Sequence, residues 1–576
     1  MIEDELHEVL LLDACKGDKS THTSKISSKE PSEPKPPPQH TSLDRKSSST
    51  AGTTNTNSSK STREARLLLS RTLAAPTMAI DIEHQTAASC DSAQASSDAT
   101  TTSAATDPSV AASSNKATAD PTQERALFCE SLAHAYKQNG KRFLGPKDQR
   151  FMHGWGYTGP LVKPKTLWSS SSKPRKDHDA PAWLTASEYE DVDEVMAAKV
   201  KQLAHLMRMS RRTCIYSGAG ISASVVGQAA LSGTNKVGWL SKTEAQPTPT
   251  HHALAALANA GLIHGWVQQN HDGLPQKAGF PQEAICEVHG SWYDPANPVV
   301  KYSGSLRDHE CAWMEAEAQA ADLVLVMGTS LGGLNADQVA TECALRALGD
   351  TDAETIRPSL GSVLINLQQT AEDGKMTLKL HGRSDTVLAA LLSELGLPCV
   401  PALARQARWA PVDCALVPYD KRGVRLPEGS TAPKMWLDLR PGAQVKITSR
   451  HNHQGAKQPN TIHIGSRKGQ TFQKKAIERA GQCPGNGTVT RREEESASYK
   501  LNIEGAPMRL GIWWLESAAR GGPAFLPLVN QTPAFEGAPD PSRGGAAGGA
   551  GSATAATKSK TAAANWGKAK AKAIWK

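Results

Sequence analysis

The sequence predicts an α/β protein whose core is a doubly wound parallel sheet, followed by a small module rich in β-strands. Between about residues 190 and 400, short runs of β-branched and other apolar residues alternate with helical patterns, as in parallel sheets. Several of these runs are apolar almost throughout, which is typical of strands covered on both faces. After about residue 410 the runs become short, alternate apolar with polar residues and are separated by turn residues, which predicts strands within 434–449, 460–466, 497–505 and 508–517.

The strands and helices of the parallel region can be placed one by one. Four strands are predicted, over residues 212–220, 262–270, 322–330 and 361–368. Three helices are predicted, over residues 251–261, 311–321 and 384–396. Gly261 and Gly396 close the first and the last of these helices, where glycine is a common stop signal. Ser384 or Asp385 is the predicted N-cap of the last helix.

Composition divides the chain into five regions. They are the predicted disordered tails, residues 1–125 and 535–576; a flanking segment expected to pack on the core, residues 126–190; the core domain, residues 191–400; and the β-rich module, residues 410–530. The tails are dominated by Ser, Thr, Ala, Pro, Gly and Lys, which offer too little apolar surface to offset the entropy of ordering. Trp513 and Trp514 in the module fit core or interface positions rather than catalysis.

Charge and cysteine usage bound the partners and the compartment. The formal net charge is +8, and no acidic residue follows Asp540, so the C-terminal tail is basic. Such a tail can make weak contacts with nucleic acid, and a purely solvated tail fits equally well. No run approaches the roughly 18 apolar residues of a membrane helix, so no membrane association is expected. The 10 cysteines include no CxxC pair, which favours a reducing, intracellular location, nuclear or cytoplasmic.

Polar or glycine-rich residues follow four of the predicted strands. They are Ser217–Gly220, Gln269 with Asn270, Gly328–Ser330, and Asn366. Ligands of an open parallel sheet bind beyond the carboxyl ends of its strands, so we expect these four ends to meet at one site. A turn such as Gly218–Ser222 lets the backbone approach a pyrophosphate, although a tight turn without a ligand has the same pattern.

One histidine near these strand ends suits acid/base chemistry. His289 lies in the sequence EVHG. An isolated histidine is usually structural, but an imidazole that titrates near neutrality can act as a general acid or base.

Taken in order along the chain, the short motifs resemble those of the sirtuin family of NAD-dependent protein deacylases. They are GAGIS at 218–222, PTPTH at 247–251, QNHDGL at 269–274 with Ala278 and Gly279, EVHG at 287–290, GTSL at 328–331, IN at 365–366 and HGRSDTVL at 381–388. The resemblance covers about residues 195–398. It implies a Rossmann-like domain that binds NAD, with a smaller domain inserted into it.

The resemblance also implies roles for individual residues. NAD would be bound by Gly218, Ala219, Gly220, Ser222, Gln269, Asn270, Asp272, Gly328, Thr329, Ser330, Asn366, Ser384 and Asp385. His289 would be the general base toward a ribose hydroxyl, with Asn270 and Asp272 as the other catalytic residues. Val300 and Tyr302 would contact the acylated lysine of a protein or peptide substrate. The chemistry of the residues agrees, because only His289 in this set has an intrinsic pKa suited to a base.

The sequence departs from the family pattern in a metal-binding element. The family carries two CxxC pairs after the HG dipeptide, and these hold a structural zinc. Here HGSWYDPANPVVKYSGSL follows at 289–306, so the zinc-bearing insert is missing. Cys286 and Cys311 are single cysteines, whereas a structural zinc takes four ligands. We therefore predict no zinc and no other metal, and expect a reduced small domain.

A second departure concerns the cover of the nicotinamide site. After the GAGIS turn the family has a Pro-Asp-Phe-Arg element, and here Ala229, Ala230 and Leu231 stand where Asp, Phe and Arg are expected. The loss of this charged and aromatic cover is expected to affect turnover and acyl specificity more than NAD binding. In the substrate cleft, Tyr302 retains an aromatic side chain.

Three functions fit these observations. The first is an NAD-dependent protein lysine deacylase that transfers the acyl group to ADP-ribose and releases nicotinamide. The second is a mono-ADP-ribosyltransferase or NAD hydrolase on the same fold, which the missing cover motivates. The third is a non-catalytic NAD-binding scaffold, against which the retained His289, Asn270 and Asp272 argue.

Overall fold

A computed structural model describes the middle of the chain. The described residues are 121–139, 145–174, 180–226, 232–234, 241, 243–300, 306–350, 358–398, 409–448 and 485–541. Nearly all of the two predicted disordered tails therefore lies outside the described residues. So do Ala229, Ala230, Leu231 and Tyr302.

The flanking segment consists of two helices and a hairpin. They are α1 (Pro121–Gln138), α2 (Gln149–His153) and the antiparallel pair β1 (Lys165–Trp168) and β2 (Glu188–Glu190). Helix α1 begins a few residues before the predicted boundary at 126. Its Tyr136 hydroxyl donates to the Asp350 carboxylate at 3.0 Å, and Cys129 Sγ lies 3.3 Å from the carbonyl of Ser359. These contacts hold the flank against the core domain.

The core domain contains a six-stranded parallel sheet, which confirms the predicted fold class. Its strands are β3 (Thr213–Ser217), β4 (Gly265–Gln268), β5 (Ile285–Glu287), β6 (Leu323–Met327), β7 (Gly361–Ile365) and β8 (Leu378–Leu380). Their order across the sheet is β5-β4-β3-β6-β7-β8, and every neighbouring pair is parallel. Strands β5 and β8, of three residues each, are additions to the four strands that the sequence predicts.

Helices cover both faces of this sheet. They are α3 (Asp193–Met209), α4 (Pro249–Asn259), the short α5 (Leu274–Lys277), α6 (Asp308–Ala320), α7 (Gln338–Leu348) and α8 (Ser384–Glu394). Alternate residues of β6 serve the two faces: Leu325 packs with α3, α4 and α8, and Val326 packs with α6 and α7. This alternation explains the continuous apolar run at 322–330. Among the described residues, no helix has the length and apolar character needed to span a membrane.

The C-terminal β module, residues 409–448 and 485–541, is built mainly from antiparallel strands. They are β9 (Cys414–Val417), β10 (Met435–Asp438), β11 (Gln444–Ile447), β12 (Asn486–Glu493), β13 (Ser498–Ile503), β14 (Ala506–Gly511) and β15 (Leu528–Asn530), with helix α9 (Trp513–Ala519) between the last two. A five-stranded sheet has the order β14-β13-β12-β11-β15, and β9 pairs with β10. The predicted strand at 508–517 is wrong in its second half, where α9 begins. The predicted strand at 460–466 lies outside the described residues.

The module packs directly against the core domain beside β5. Trp513 Nε1 donates to Gln282 Oε1 at 2.7 Å, and Ser517 Oγ donates to Glu283 Oε2 at 2.7 Å. The Trp513 ring lies 5.3 Å from the ring of Tyr293, centroid to centroid. Trp513 is therefore an interface residue, in agreement with its predicted role.

Candidate active site

The carboxyl ends of β3 and β6 meet at the point where the strand order of the sheet reverses. Gly220 N donates to the carbonyl of Gly328 at 2.8 Å, and Gly218 N donates to that of Met327 at 3.1 Å. A Cβ atom on Gly220 would lie 2.6 Å from Gly328 Cα, so the close approach of the two turns requires glycine. Such a switch point is where open α/β sheets bind ligands.

The turn after β4 joins the same site through a chain of side-chain hydrogen bonds. Asn270 Nδ2 donates to the carbonyl of Gly218 at 3.1 Å and to Ser222 Oγ at 3.2 Å. Ser222 Oγ donates to Asp272 Oδ2 at 2.7 Å, and Gln269 Nε2 donates to Thr329 Oγ1 at 3.0 Å. Burial raises the pKa of the Asp272 carboxyl above its ordinary value, and the bond from Ser222 opposes that rise. The network brings together the β3, β4 and β6 turns that were predicted separately.

His289 follows β5 and lies beside this network. Its Nδ1 is 3.2 Å from the backbone carbonyl of Gln269. A carbonyl oxygen only accepts, so this contact places the proton of a neutral ring on Nδ1 and leaves Nε2 as the acceptor. Burial, helped by the nearby His271, lowers the pKa of His289 to about 4, so the ring is neutral at pH 7. The backbone of the candidate substrate residue Val300 is bonded to the same loop, because Val300 N donates to the His289 carbonyl at 2.9 Å.

The ends of β7 and β8 complete the opposite side of the site. Asn366 Nδ2 donates to the carbonyl of Thr329 at 3.1 Å. Thr250 N donates to Asp385 Oδ1 at 2.8 Å, and Thr250 Oγ1 donates to Ser384 Oγ at 2.8 Å. Thr250 belongs to the PTPTH motif, which therefore supports the residues at the start of α8. Sequence reasoning gave Thr250 no role of its own.

An open cavity runs over these turns. Most of the predicted NAD residues line it, namely Ala219, Gly220, Gln269, Gly328, Thr329, Ser330, Asn366, Ser384 and Asp385. The other predicted residues, Gly218, Ser222, Asn270 and Asp272, are hydrogen-bonded to one another, and the Gly218 carbonyl accepts from Ile221 N in the lining at 3.4 Å. Ser222 and Asp272 are buried. His289 is adjacent through its contact with Gln269. The structure thus brings the described site residues into one region, and their roles toward a ligand stay predictions.

Glu188 is a cavity residue that the sequence did not reveal. It lies on β2 in the flanking segment and is 1% exposed. Its carboxylate accepts hydrogen bonds from the Ser232 and Thr234 hydroxyls and from Thr234 N, the last at 3.0 Å. Arg383 Nη2 donates to the carbonyl of Thr234 at 3.1 Å. No local motif marks Glu188, since its partners are more than 40 residues away in sequence.

The described residues contain no group of three or more His, Cys, Asp and Glu side chains arranged to hold a metal ion. Cys286 is a buried residue of β5, with its Sγ 3.5 Å from the carbonyl of Glu310. Cys311 is partly exposed on α6, with its Sγ 3.7 Å from Glu315 Oε1. The two single cysteines therefore have separate surroundings.

Comparison with known proteins points to one family. The sequence profile of the Sir2 family matches residues 234–296, which include the QNHDGL and EVHG motifs. The NAD-dependent protein deacetylase sirtuin-7 of Homo sapiens is 30% identical over 264 residues, covering 37% of this chain and 64% of its own. Over the matched residues the chain is similar to the Sir2 family.

Other Sir2 family members extend the comparison. The NAD-dependent protein deacetylase SRT1 of Arabidopsis thaliana is 26% identical over 264 residues, covering 37% of this chain and 53% of its own. The NAD-dependent protein deacetylase Sirt6 of Drosophila melanogaster is 28% identical over 265 residues, covering 38% of this chain and 82% of its own. The chain thus spans about half of the plant relative and less than two thirds of the human one.

Solved Sir2 structures match the same part of the chain. One, described as Sir2 bound to acetylated peptide, is 20% identical and has a TM-score of 0.29, covering 35% of this chain and 100% of that chain. Another, described as a complex of Sir2, a p53 peptide and NAD+, is 22% identical with a TM-score of 0.29, covering 34% of this chain and 99% of that chain. TM-scores this low carry no argument about function.

Proposed function

We propose that this chain is an NAD-dependent protein lysine deacylase. The acyl group of a substrate lysine is transferred to ADP-ribose, and nicotinamide is released. The observation that carries the proposal is the position of His289, whose Nδ1 contacts the Gln269 carbonyl at 3.2 Å and so leaves Nε2 as the acceptor beside the Gln269–Asp272 turn. The curated relatives described as NAD-dependent protein deacetylases support the same activity.

The geometry of the crevice fits NAD. The close approach of Gly220 and Gly328 leaves backbone without side chains at the lining, which is the form of cradle that a pyrophosphate needs. Asn366, Ser384 and Asp385 line the far side of the cavity and supply hydroxyl, amide and carboxylate groups for an adenosine. We assign the phosphates to the glycine turns and the adenosine to the β7 and α8 side.

The chain's own residues then perform three tasks. Asn270 is held by Gly218 and Ser222 through its Nδ2, and we assign its Oδ1 to orienting the nicotinamide ribose or a water. Asp272 fixes Ser222 and thereby the position of Asn270. NAD, when bound, supplies a ribose carbon that gains cationic character as nicotinamide leaves and accepts the acyl oxygen of the substrate. His289 Nε2 accepts the proton of the neighbouring ribose hydroxyl.

The decisive experiment measures products by mass spectrometry. The protein is incubated with NAD and an acetyl-lysine peptide, and nicotinamide and acyl-ADP-ribose are quantified. We expect both products with the wild type and with His134→Ala, a control on the exposed face of α1, and at least a hundredfold less with His289→Ala. Acyl-ADP-ribose no more abundant than with His289→Ala would refute the proposal. Free ADP-ribose without an acyl peptide would instead indicate an NAD hydrolase.

The same assay determines which acyl groups the protein removes from lysine. Val300 and Tyr302 are the proposed substrate contacts, and Ala229, Ala230 and Leu231 replace the family's charged and aromatic cover. We expect acetyl peptides to be turned over, and we propose comparing them with succinyl and long-chain acyl peptides. Tyr302→Ala should raise KM for the peptide with little change in KM for NAD. An unchanged peptide KM would remove Tyr302 from the proposed site.

We propose further that the protein needs no zinc. The alignment with the human relative extends over 264 residues, yet 37% of this 576-residue chain is fewer than 264, so part of the relative stands opposite gaps. We assign such a gap to the segment after His289, where HGSWYDPANPVVKYSGSL follows at 289–306 without a CxxC pair. Metal analysis of the purified protein should find far less than one zinc per chain. Stoichiometric zinc that survives dialysis against a chelator would overturn this proposal.

A further inference from the structure

The loops that carry His271 and His289 are hydrogen-bonded to each other, and each histidine contacts the backbone of the other loop. His289 Nδ1 contacts the carbonyl of Gln269 at 3.2 Å, so the base is fastened to the β4 turn. His271 Nδ1 contacts the carbonyl of Gly290 at 2.8 Å, so the β4 turn is fastened to the loop of the base. Trp292 N donates to the His271 carbonyl at 3.0 Å. His271 therefore contributes a bond from its side chain and another from its backbone.

The side chain of His271 is also placed beside the base. The two imidazole centroids are 6.4 Å apart, and the His271 ring lies 6.0 Å from the ring of Trp292. Two imidazoles at this separation accept one proton more readily than two, because the second charge is repelled by the first. His271 occupies the position between Asn270 and Asp272 for which the family resemblance gives no role.

We propose that His271 is a positioning residue for His289, because its side chain and its backbone both fasten the β4 turn to the loop that carries the base. The inference rests on the proposed function for its consequence in turnover. These bonds from His271 brace the loop of the base and hold Nε2 of His289 in a fixed position relative to the glycine turns after β3 and β6. The neighbouring imidazole keeps His289 neutral, and so able to accept a proton, at more acidic pH than it otherwise would be.

His271 is the titratable side chain that lies beside His289. Burial is the largest influence that lowers the pKa of His289, His271 acts in the same direction, and the Gln269 carbonyl opposes both. The carboxylate of Asp272 is turned to Ser222 and to Leu274 N, at 2.7 and 3.1 Å.

Two substitutions separate the brace from the charge. His271→Gln keeps an N–H donor that can reach the Gly290 carbonyl but removes the titratable ring. His271→Leu removes both the donor and the ring. His134→Gln, on the exposed face of α1, is the matched control. The pKa of His289 is measured by NMR titration of histidine ring protons, with the His289 signal assigned from the spectrum of His289→Ala. The pH profile of kcat/KM for NAD is measured in parallel.

We expect His289 to titrate about one pH unit higher in both His271 variants than in the wild type, and unchanged in His134→Gln. The acidic limb of kcat/KM should move upward by the same amount. At pH 7.5, His271→Gln should keep activity within about threefold, whereas His271→Leu should lose about tenfold or more in kcat because the loop is no longer braced. The shift in the titration of His289, common to both His271 variants, is the readout that a merely structural role would not produce.

The outcomes are distinguishable from those of the proposed function. An unchanged His289 titration in both variants overturns the inference, whatever the activity. A loss of kcat in His271→Gln as large as in His271→Leu overturns the role of the brace. A wild type that shows the NMR shift upon substitution but has no turnover overturns the proposed function and leaves the pairing of the two imidazoles standing.

Discussion

Trp513 connects the C-terminal β module to the turn that carries Asp272, and its removal tests how far the site depends on the module. The side chain is 5% exposed, packs on Tyr293 and donates to Gln282 Oε1 at 2.7 Å. A Cβ added to Gly273 would lie 3.0 Å from Trp513 Cη2, so the indole supports this turn from behind. We therefore expect Trp513→Ala to have two effects. It should destabilise the interface between the module and the core domain, and it should loosen the turn after β4 that carries Asp272.

The magnitude follows from the contacts that are lost. Truncating a buried Trp to Ala leaves a cavity and costs about 3–5 kcal/mol. The lost hydrogen bond adds little to this destabilisation, because Gln282 Oε1 still accepts a hydrogen bond from Gln276 Nε2 at 3.2 Å. A loss of about 4 kcal/mol lowers Tm by about 8–16 °C for a protein domain of this size. Trp513→Phe, which keeps most of the ring volume, should lower the free energy of unfolding by only about 1–2 kcal/mol.

Calorimetry and NAD titration of the full chain provide the two readouts. Trp513→Ala should lower Tm as stated and weaken NAD binding by more than about tenfold at a temperature where the variant is folded. Trp183→Ala is the control, since that side chain is 38% exposed and its loss should cost no more than about 1 kcal/mol. A Trp513→Ala variant with the Tm of the control, or with a lower Tm and unchanged NAD affinity, would refute the coupling.

Three further predictions concern the cavity and acid stability. Gly328→Ala should weaken NAD binding more than about tenfold in a calorimetric titration, because φ is +57° and the new Cβ would lie 2.6 Å from Ile221 N; binding as in the wild type would contradict this. Glu188→Gln should raise KM for NAD several-fold with kcat changed less than about twofold, and an unchanged KM would show that this carboxylate does not shape the cavity. Burial lowers the pKa of His153 to about 4 and of His251 to about 3, so the unfolded chain binds more protons than the fold below pH 6.5. Stability should therefore fall by about 2 kcal/mol for each of them between pH 6.5 and 5, measured by urea unfolding, and equal stability at both pH values would be inconsistent with neutral buried rings.

The sequence predicted the parts of the fold whose signal is local. The run at 322–330 is apolar because both faces of β6 are covered, and this alone identifies a central strand. The glycines and amides that follow the strands predicted a site, and Gly220, Gly328 and Asn270 do lie within hydrogen-bonding reach of neighbouring turns. Parallel strands place their carboxyl ends at the same edge of a sheet. The meeting of these turns could therefore be predicted without knowing the structure of the loops.

The parts that sequence reasoning missed depend on distant contacts. Strands β5 and β8 have three residues each, too few for a periodic pattern to be visible. The segment after Gly511 reads as an apolar strand, yet it folds as α9 because Trp513 and Leu515 pack into the module core and Trp513 bonds to Gln282. Glu188 joins the cavity through Ser232 and Thr234, and nothing in its own neighbourhood marks that contact.

Residues from outside the family motifs support the turn that follows β4. Lys277, at the end of the α5 helix that follows Asp272, is buried and donates to the Tyr293 hydroxyl at 3.2 Å. Tyr293 is in turn covered by Trp513 and bonded through its carbonyl to Gly511 N at 3.0 Å. The segment after His289 is thus packed between the β4 turn on one side and the C-terminal β module on the other. Because the β4 turn and the segment after His289 both contact this stack, we expect the C-terminal β module to help set their relative position.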